Sequence, residues 1–294
     1  MQAGKGKRVV LHIGFHKTGS SAIQANLEQF SAEYAERGLV VPQGLSHWTG
    51  HPEIAWACCP EKFPWADRDF QLDELSEYYG QQLADLPEGA TLLLSSEEYC
   101  RLNYYPGAIE AIRDFFEGTD LTILAYLRDP IDFLVSRYRH EITHGEATPL
   151  EPFMRHHLRS ADLALRLRPW VDIFGHERVI ARLFDRKAFT GGTIVNDFLG
   201  ALAVTPEPSD FRRGEFSGAH PWLCSAWQKL NASDADEAMR DEGRRTLYAA
   251  SIALPAVDAK KALLAEIDLG DLEDEIADMR SRLAAAVNGG REAR

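Results

Sequence analysis

The sequence predicts an α/β fold over residues 8–204: a central, mostly parallel sheet covered by helices on both faces. Three observations predict it. Short apolar runs of strand length are continuous instead of alternating, as in strands buried on both faces. Between them lie segments whose apolar residues recur at the helical period. Turn residues, Gly14 and Asp129-Pro130 among them, stand where a run meets the next helix.

Val9-Val10-Leu11-His12-Ile13, closed by Gly14, reads as the first strand. Ile23, Leu27, Phe30 and Tyr34 follow at i, i+4, i+7 and i+11, the stripe of one amphipathic helix. Residues 42–90, rich in Pro, Trp, His and acids, read as an irregular insertion with a short helix near 69–84. Two more strands are expected at Thr91-Leu92-Leu93-Leu94-Ser95 and at Leu121 through Leu127. Asp129 is placed to cap the next helix, with Pro130 at its first position and Ile131, Leu134, Val135, Tyr138 and Ile142 as its stripe. Leu163, Leu167, Trp170, Val171 and Phe174 stripe another helix, which Gly175 ends. Arg178 through Phe184 is the fourth strand, and Ile194, Val195, Phe198, Leu199 and Leu202 mark the helix after it. Beyond a Pro/Gly/Arg-rich loop at 205–222, residues 223–294 read as a helical C-terminal appendage, with 258–288 solvated. The whole of 1–294 is read as one domain.

Composition excludes several classes of function. No apolar run approaches the roughly 20 residues of a membrane-spanning helix. The net charge is −13, from 45 acids against 32 bases, so an anionic polymer such as nucleic acid is not an expected partner. The charge is uneven: residues 51–98 carry eleven acids and two bases, whereas residues 1–30 carry four bases and one acid. A local anion site near the N-terminus is compatible with that distribution. Cys58, Cys59, Cys100 and Cys224 are too few for a disulfide scaffold and lack zinc spacing. With no signal-peptide apolar stretch at the start, a reduced, cytoplasmic protein is expected. His12/His16 and His47/His51 have i, i+4 spacing, but they bracket a turn and lie in a loop, so no metal is expected.

The turn Gly14-Phe15-His16-Lys17-Thr18-Gly19-Ser20-Ser21 carries the chemistry. It combines glycines, backbone N–H groups at a helix start, a lysine and clustered hydroxyls, and it lies at the ligand-binding edge of a parallel sheet. The lysine precedes the second glycine, so the triphosphatase motif G-x-x-x-x-G-K-[ST] is not met. Taken alone, the turn also admits a plain strand–helix connection with a solvent-exposed lysine. A second segment, Leu127-Arg128-Asp129-Pro130 through Ser136-Arg137-Tyr138, places Arg128 at another strand end. Ser136 falls about 140° from the centre of its helix's apolar stripe and is not core filler. Arginine clamps a terminal phosphate with two parallel hydrogen bonds, and a serine hydroxyl adds another. Two anion sites suggest a ligand with two phosphate-type groups.

The two segments together resemble the sulfotransferases that use 3′-phosphoadenosine 5′-phosphosulfate (PAPS), in particular their bacterial and carbohydrate-type branch. The resemblance continues weakly through Trp170 to Ile180 and Asp197-Phe198-Leu199, so it covers roughly residues 8–204. It implies a three-layer, P-loop-like fold, with the first loop holding the 5′-phosphosulfate and Arg128 and Ser136 the 3′-phosphate. Ser20-Ser21 stands where many relatives have Thr-Thr, and the hydroxyls survive. Lys17 is the candidate for stabilising the sulfuryl group and the bridging oxygen. Thr18, Gly19, Ser20 and Ser21 would hold the 5′-phosphate with the loop's N–H groups. The base for an acceptor hydroxyl is Glu97, which follows a strand and a Ser-Ser pair as the resemblance favours, or His51. Each also has a plain reading, as a helix N-terminal acid and as a solvated loop histidine. Arg212 and Arg213 belong to a segment, 212–218, that is either a loop closing over the nucleotide or an exposed linker. The expectation is a PAPS-dependent transferase acting, without a metal, on a sugar, glycolipid or small-metabolite hydroxyl. The alternatives are an ATP-dependent small-molecule kinase and a non-catalytic nucleotide-binding module.

Overall fold

The computed structural model describes residues 4–205, 218–265 and 267–292. In chain order the elements are β1 (Arg8–His12), α1 (Ser20–Gln29), α2 (Ser31–Glu36), β2 (Leu39–Val40), α3 (Glu53–Cys58), α4 (Leu72–Ala84), β3 (Thr91–Ser95), a 3-10 helix (Glu97–Tyr104), α5 (Ala108–Phe115) and β4 (Asp120–Leu127). Then come α6 (Pro130–Glu141), α7 (Leu150–His157), α8 (Leu163–Phe174), β5 (Val179–Leu183) and α9 (Ile194–Ala201). The C-terminal part contains α10 (Cys224–Asn231), α11 (Glu237–Ala253), α12 (Ala259–Leu264) and α13 (Glu273–Glu292). The chain divides into two compact units, the described residues of 4–127, 164–205 and 284–292 in one and those of 128–163 and 218–283 in the other.

The first unit is built on a five-stranded parallel sheet in the order β2-β3-β1-β4-β5. His12 stands opposite Ser95 on one side and Leu124 on the other. Side chains alternate between faces along a strand. Val10, Leu93, Leu124 and Tyr126 face Ile23, Leu27, Tyr34, Val195, Phe198 and Leu199, from α1, α2 and α9. Their strand neighbours Val9, Leu11, Leu92, Leu94, Ile123 and Ala125 point to the opposite face and are buried as well. Burial on both faces explains why these strands read as unbroken apolar runs. The sheet is accordingly the middle of three layers. The chain runs to one side of β1 for β2 and β3 and to the other for β4 and β5, which makes the carboxyl end of β1 the switch point where ligands bind in such sheets.

Three local expectations need correction. The stripe from Ile23 to Tyr34 is not one helix: Phe30 leaves helical geometry at φ −111° and ψ 26°, so the segment divides into α1 and α2 with the same side inward. The insertion 42–90 holds α3 as well as α4, and α3 buries Ile54, Ala55 and Trp56. The two-residue edge strand β2 is too short to leave a periodic signal.

A buried carboxylate ties the sheet to α9. Asp197 accepts hydrogen bonds from both Nε and Nη2 of Arg182 on β5 (2.7 and 2.6 Å), from the Tyr126 hydroxyl on β4 (2.6 Å) and from the Thr190 N–H (2.9 Å). Burial pushes its pKa up, but these donors more than offset burial and hold it below the usual carboxylate range.

In the second unit, α6 begins as its sequence predicts: Asp129 accepts from the N–H groups of Ile131 and Asp132, with Pro130 next. Its core gathers Tyr138, Ile142, Phe153, Ala219, Cys224 and Trp227, against which Leu150, Leu247 and Leu263 pack. Arg280 (2.7 Å) and Lys260 (3.5 Å) pair with Asp129, and Arg282 pairs with the buried Asp162. Helices of 223–283 and residues 128–163 thus form one unit. The solvated tail is a further correction, since Ile276, Met279, Leu283 and Val287 of α13 are buried at helical spacing. Of the 205–222 loop, 206–217, with Arg212 and Arg213, lie outside the described residues.

Asp197→Ala should lower stability at neutral pH by about 3 kcal/mol, the lower end of the cost of breaking a buried ion pair because Arg182 is partly exposed. Because the native pKa of Asp197 is depressed, its contribution is complete above about pH 3.9, its unfolded value, and is lost as pH falls through the lower native value. The difference between variant and wild type in urea unfolding should therefore narrow in acid. A difference that is constant with pH would show that Asp197 does not act as a carboxylate.

Candidate functional site

The site begins where β1 ends but its pairing does not. The Ile13 N–H donates to Leu124 O (3.0 Å), the Phe15 N–H to Tyr126 O (3.3 Å) and the Tyr126 N–H to Gly14 O (2.8 Å). The sheet thereby holds the turn rigidly through Phe15, whose ring is fully buried. Two hydroxyls then fold the turn back: Thr18 Oγ1 (2.5 Å) and Ser20 Oγ (3.1 Å) both donate to the carbonyl of Phe15. Thr18 and Ser20 are buried, whereas Ser21 is exposed. The hydroxyls read as a cluster therefore have two settings, two closing the turn and one facing solvent.

Between these anchors Lys17 sits at φ 62°, in the left-handed region that a lysine seldom adopts. It is half-buried. Gly19, at φ 89°, opens α1, and no side chain caps the helix and no acid stands in its first turn. The first N–H groups of α1 keep their positive partial charge for an anion. A side chain on Gly19 would lie 2.9 Å from the Phe184 ring, which is why glycine is needed there.

Glu97 meets this turn from the neighbouring strand. It starts the 3-10 helix after β3, where Ser96 caps by accepting from the Glu98 N–H (3.2 Å). Asn103 pins the other end of that helix: its side chain donates to Arg166 O and accepts from the Trp170 Nε1–H (2.8 Å) of α8. The lack of a side chain at Gly14 lets Glu97 pack over the turn, since a Cβ there would lie 3.3 Å from Glu97 Cα. Glu97 Oε1 is 3.2 Å from His16 Nδ1, and its side chain remains one third exposed (33%). Burial raises its pKa, but the His16 hydrogen bond and charge and the Lys17 charge bring it below the ordinary value. Glu97 is therefore an ionised, partly accessible carboxylate beside a lysine.

His51 has a different setting from the solvated loop histidine expected. It is 3% exposed. Its Nδ1 accepts from the Ser95 N–H (3.1 Å) and its Nε2–H donates to Pro42 O (2.9 Å), which fixes a neutral ring with both nitrogens engaged. Burial lowers its pKa accordingly. No nitrogen is left for an acceptor hydroxyl, so His51 serves to bind the insertion to β3. His12 is likewise buried, bonded to Ser95 Oγ (2.8 Å) and set edge-on to Tyr126 and Phe198, and burial lowers its pKa to about 4.

The structure thus brings Lys17, Thr18, Gly19, Ser20 and Glu97 together in the first unit and leaves His51 out. Arg128 and Ser136 lie in the second unit, both half-buried, Ser136 off the apolar stripe of α6 as its helical angle predicts. Sequence reasoning missed three residues around the turn: His16, which bonds Glu97, Cys100 on the 3-10 helix, and Arg166, which reaches Cys100. His16 lay within the quoted turn. Cys100, at i+3 from Glu97, lies on the same face of the 3-10 helix. Arg166 comes from a distant helix and leaves no local signal. Among the described residues no group of three or more His, Cys, Asp or Glu is arranged to hold a metal, and no helix is long and apolar enough to cross a membrane.

No protein-family model matches the chain. An uncharacterized protein of Archaeoglobus fulgidus is 29% identical over 122 residues, 41% of this chain and 33% of that protein, so the matched stretch spans about a third of the relative's length. Among solved structures, a sulfotransferase from Alicyclobacillus acidocaldarius aligns with 91% of this chain and 99% of its own at 20% identity and a TM-score of 0.45. The sulfotransferase domain of the Synechococcus PCC 7002 olefin synthase aligns over 86% and 97% at 13% identity and a TM-score of 0.41. A sulfotransferase domain from the curacin biosynthetic pathway aligns over 90% and 98% at 12% identity and a TM-score of 0.42.

The left-handed backbone at Lys17 yields a test free of any ligand. Lys17→Gly and Lys17→Ala lose the same amine, but only glycine relieves the conformation, so the glycine variant should be the more stable by about 1 kcal/mol in denaturant unfolding. Equal stabilities would mean that the turn carries no strain at this residue.

Proposed function

We propose that this chain is a sulfotransferase that moves the sulfuryl group of PAPS to a hydroxyl acceptor. The observation that carries the reading is the meeting of a lysine, an uncapped helix start and an ionised glutamate at the switch point of a parallel sheet. An anion site alone would explain the first two. A carboxylate beside them would repel a bound phosphate unless it had work to do, and abstracting a proton from an acceptor hydroxyl is such work.

The residues divide the task as follows. The backbone N–H groups of Thr18, Gly19, Ser20 and Ser21, with the exposed Ser21 hydroxyl, bind the 5′-phosphate. Arg128 and Ser136 take the 3′-phosphate, the group that separates PAPS from ATP. Lys17 offsets the charge that grows on the bridging oxygen as the sulfur–oxygen bond to the leaving phosphate breaks. Glu97 receives the proton of the acceptor hydroxyl as that oxygen bonds to sulfur. PAPS supplies the sulfuryl group, and the scheme calls on no metal. Glu97 replaces His51 as the base because it alone is accessible and ionised.

The acidic stretch 51–98 opposes a heavily sulfated acceptor, which leaves a sugar, glycolipid or small metabolite as the acceptor class. The four cysteines are free thiols, which fits a reducing, cytoplasmic setting.

Adenosine 3′,5′-bisphosphate should raise the melting temperature without magnesium, while ATP does little; a preference for ATP with magnesium would overturn the assignment in favour of a kinase. Lys17→Ala should cost at least about 100-fold in transfer rate, the scale of a lost charge-stabilising donor, with the fold intact. Arg128→Ala should weaken bisphosphate binding by about 1.5–3 kcal/mol, read by calorimetry, and an unchanged affinity would place the 3′-phosphate elsewhere. Glu97→Gln should lower kcat by about 100-fold or more while bisphosphate affinity holds. Bisphosphate binding without transfer to any of a panel of hydroxyl acceptors would reduce the protein to a nucleotide-binding module.

A further inference from the structure

The start of α6 carries an electrostatic conflict at the place assigned to the 3′-phosphate. Asp129, the residue after Arg128, caps the helix through Oδ1, which accepts from the N–H groups of Ile131 (3.0 Å) and Asp132 (3.2 Å). Asp132 adds a second acid in the first turn. Burial pushes the Asp129 carboxyl up, but the Arg280 hydrogen bond, the Asp132 N–H and the charges of Lys260 and Arg280 bring it below its ordinary value, so the cap is a carboxylate. A carboxylate this close in the chain repels a phosphate held by Arg128. Asparagine would cap equally well without the charge, so capping alone does not account for an acid here.

Two cations from the C-terminal helices answer it, and all the residues concerned lie in the second unit. Arg280 of α13 sets Nε 2.7 Å from Asp129 Oδ2 and Nη2 3.5 Å from Oδ1. Lys260 of α12 places Nζ 3.5 Å from Asp129 Oδ1 and 3.0 Å from Asp132 Oδ1. Two acids therefore meet two bases at one helix start, and neither acid's charge is left over to act on a bound phosphate. Arg282, two residues beyond Arg280, pairs with the buried Asp162 and fastens α13 beside them. All four charged groups are partly exposed, so solvent and salt screen them and their effect on a phosphate is a few-fold change in affinity.

We propose that Arg280 and Lys260 are positioning residues for the 3′-phosphate: by occupying the Asp129 and Asp132 carboxylates they keep that negative charge off the phosphate held by Arg128. The C-terminal helices α12 and α13 are then a working part of the nucleotide site and not an appendage to it. The inference rests on the assignment of Arg128 and Ser136 to the 3′-phosphate. Its signature is compensation, because removing the carboxylate should cancel the effect of removing the cation. A tie that only fastened the helices together would be lost with either partner, and losing both partners would restore nothing.

Calorimetry on the whole chain tests this. Arg280→Gln should weaken adenosine 3′,5′-bisphosphate binding about three-fold, and Arg280→Gln with Lys260→Gln about ten-fold, the scale of screened charges near a dianion. Affinity for adenosine 5′-monophosphate, which lacks the 3′-phosphate, should hold. Asp129→Asn in the Arg280→Gln background should restore the bisphosphate affinity, since asparagine keeps the cap. In the transfer assay KM for PAPS should rise as the cations are lost while kcat stays. Bisphosphate affinity unmoved by the paired substitution would overturn the proposal. A loss shared by the monophosphate, or one that Asp129→Asn leaves unrestored, would overturn it too, since either marks a purely structural tie. Should the paired variant not fold, Asp129→Asn alone reads the same charge: it should tighten bisphosphate binding about three-fold, and an unchanged affinity would count against the proposal as decisively. A wild-type chain that binds no bisphosphate would defeat the nucleotide reading and this inference with it, whereas binding indifferent to these charges defeats the inference alone.

Discussion

The carbonyl oxygen of Phe15 is the point on which the site turns. Sheet hydrogen bonds carry the backbone rigidly to this residue, and the hydroxyls of Thr18 and Ser20 then fold the next residues onto its oxygen. The chain between them has little freedom left, and Lys17 is held left-handed as a result. A free strand–helix turn would let this lysine relax to an ordinary conformation and wander in solvent. Constraint of this kind costs stability and is retained where the surroundings over-determine it, as they do here.

Electrostatics divide the histidines by partner instead of by burial alone. A carboxylate bears on each of His12 and His51, Glu97 and Glu53 respectively, but burial outweighs it and drives both toward the uncharged ring. His16, four residues after His12, loses water too, but Glu97 and Cys100 bear on it and the sign reverses. One short segment therefore contains a neutral and a charged histidine, and only the charged one touches Glu97 through a ring nitrogen. In a chain whose net charge is −13, positive charge is concentrated where Lys17, His16 and the start of α1 converge.

Much of the scaffold is legible in the sequence because burial on both faces leaves a plain mark. The runs at β1, β3, β4 and β5 are apolar without alternation, and Asp129-Pro130 announces α6 through capping chemistry that is local to the chain. What periodicity does not carry is where a stripe breaks: Ile23 to Tyr34 keeps its spacing across the kink at Phe30. Nor can it recognise α3, whose six residues bury Glu53 and Ile54 alike, or show that α13 has a buried side. The site divides in the same way. Lys17 and its turn are contiguous and readable. His51 looked like a rival base because its two backbone partners, Ser95 and Pro42, become neighbours only in the folded chain.

The order of lysine and glycine has a structural consequence. When a lysine follows the glycine of a phosphate loop, it rises from the first turn of the helix and shares that helix's direction. Here it precedes Gly19, outside α1, and the glycine's left-handed turn separates it from the helix. The N–H groups of α1 and the amine of Lys17 are therefore independent sources of positive charge, and the amine acts on Glu97 as the helix start does not. A cation directed at a carboxylate would be wasted on binding phosphate alone, because each weakens the other's grip on a third charge. It suits a reaction in which the carboxylate takes up a proton and leaves the cation to the charge growing on the departing group.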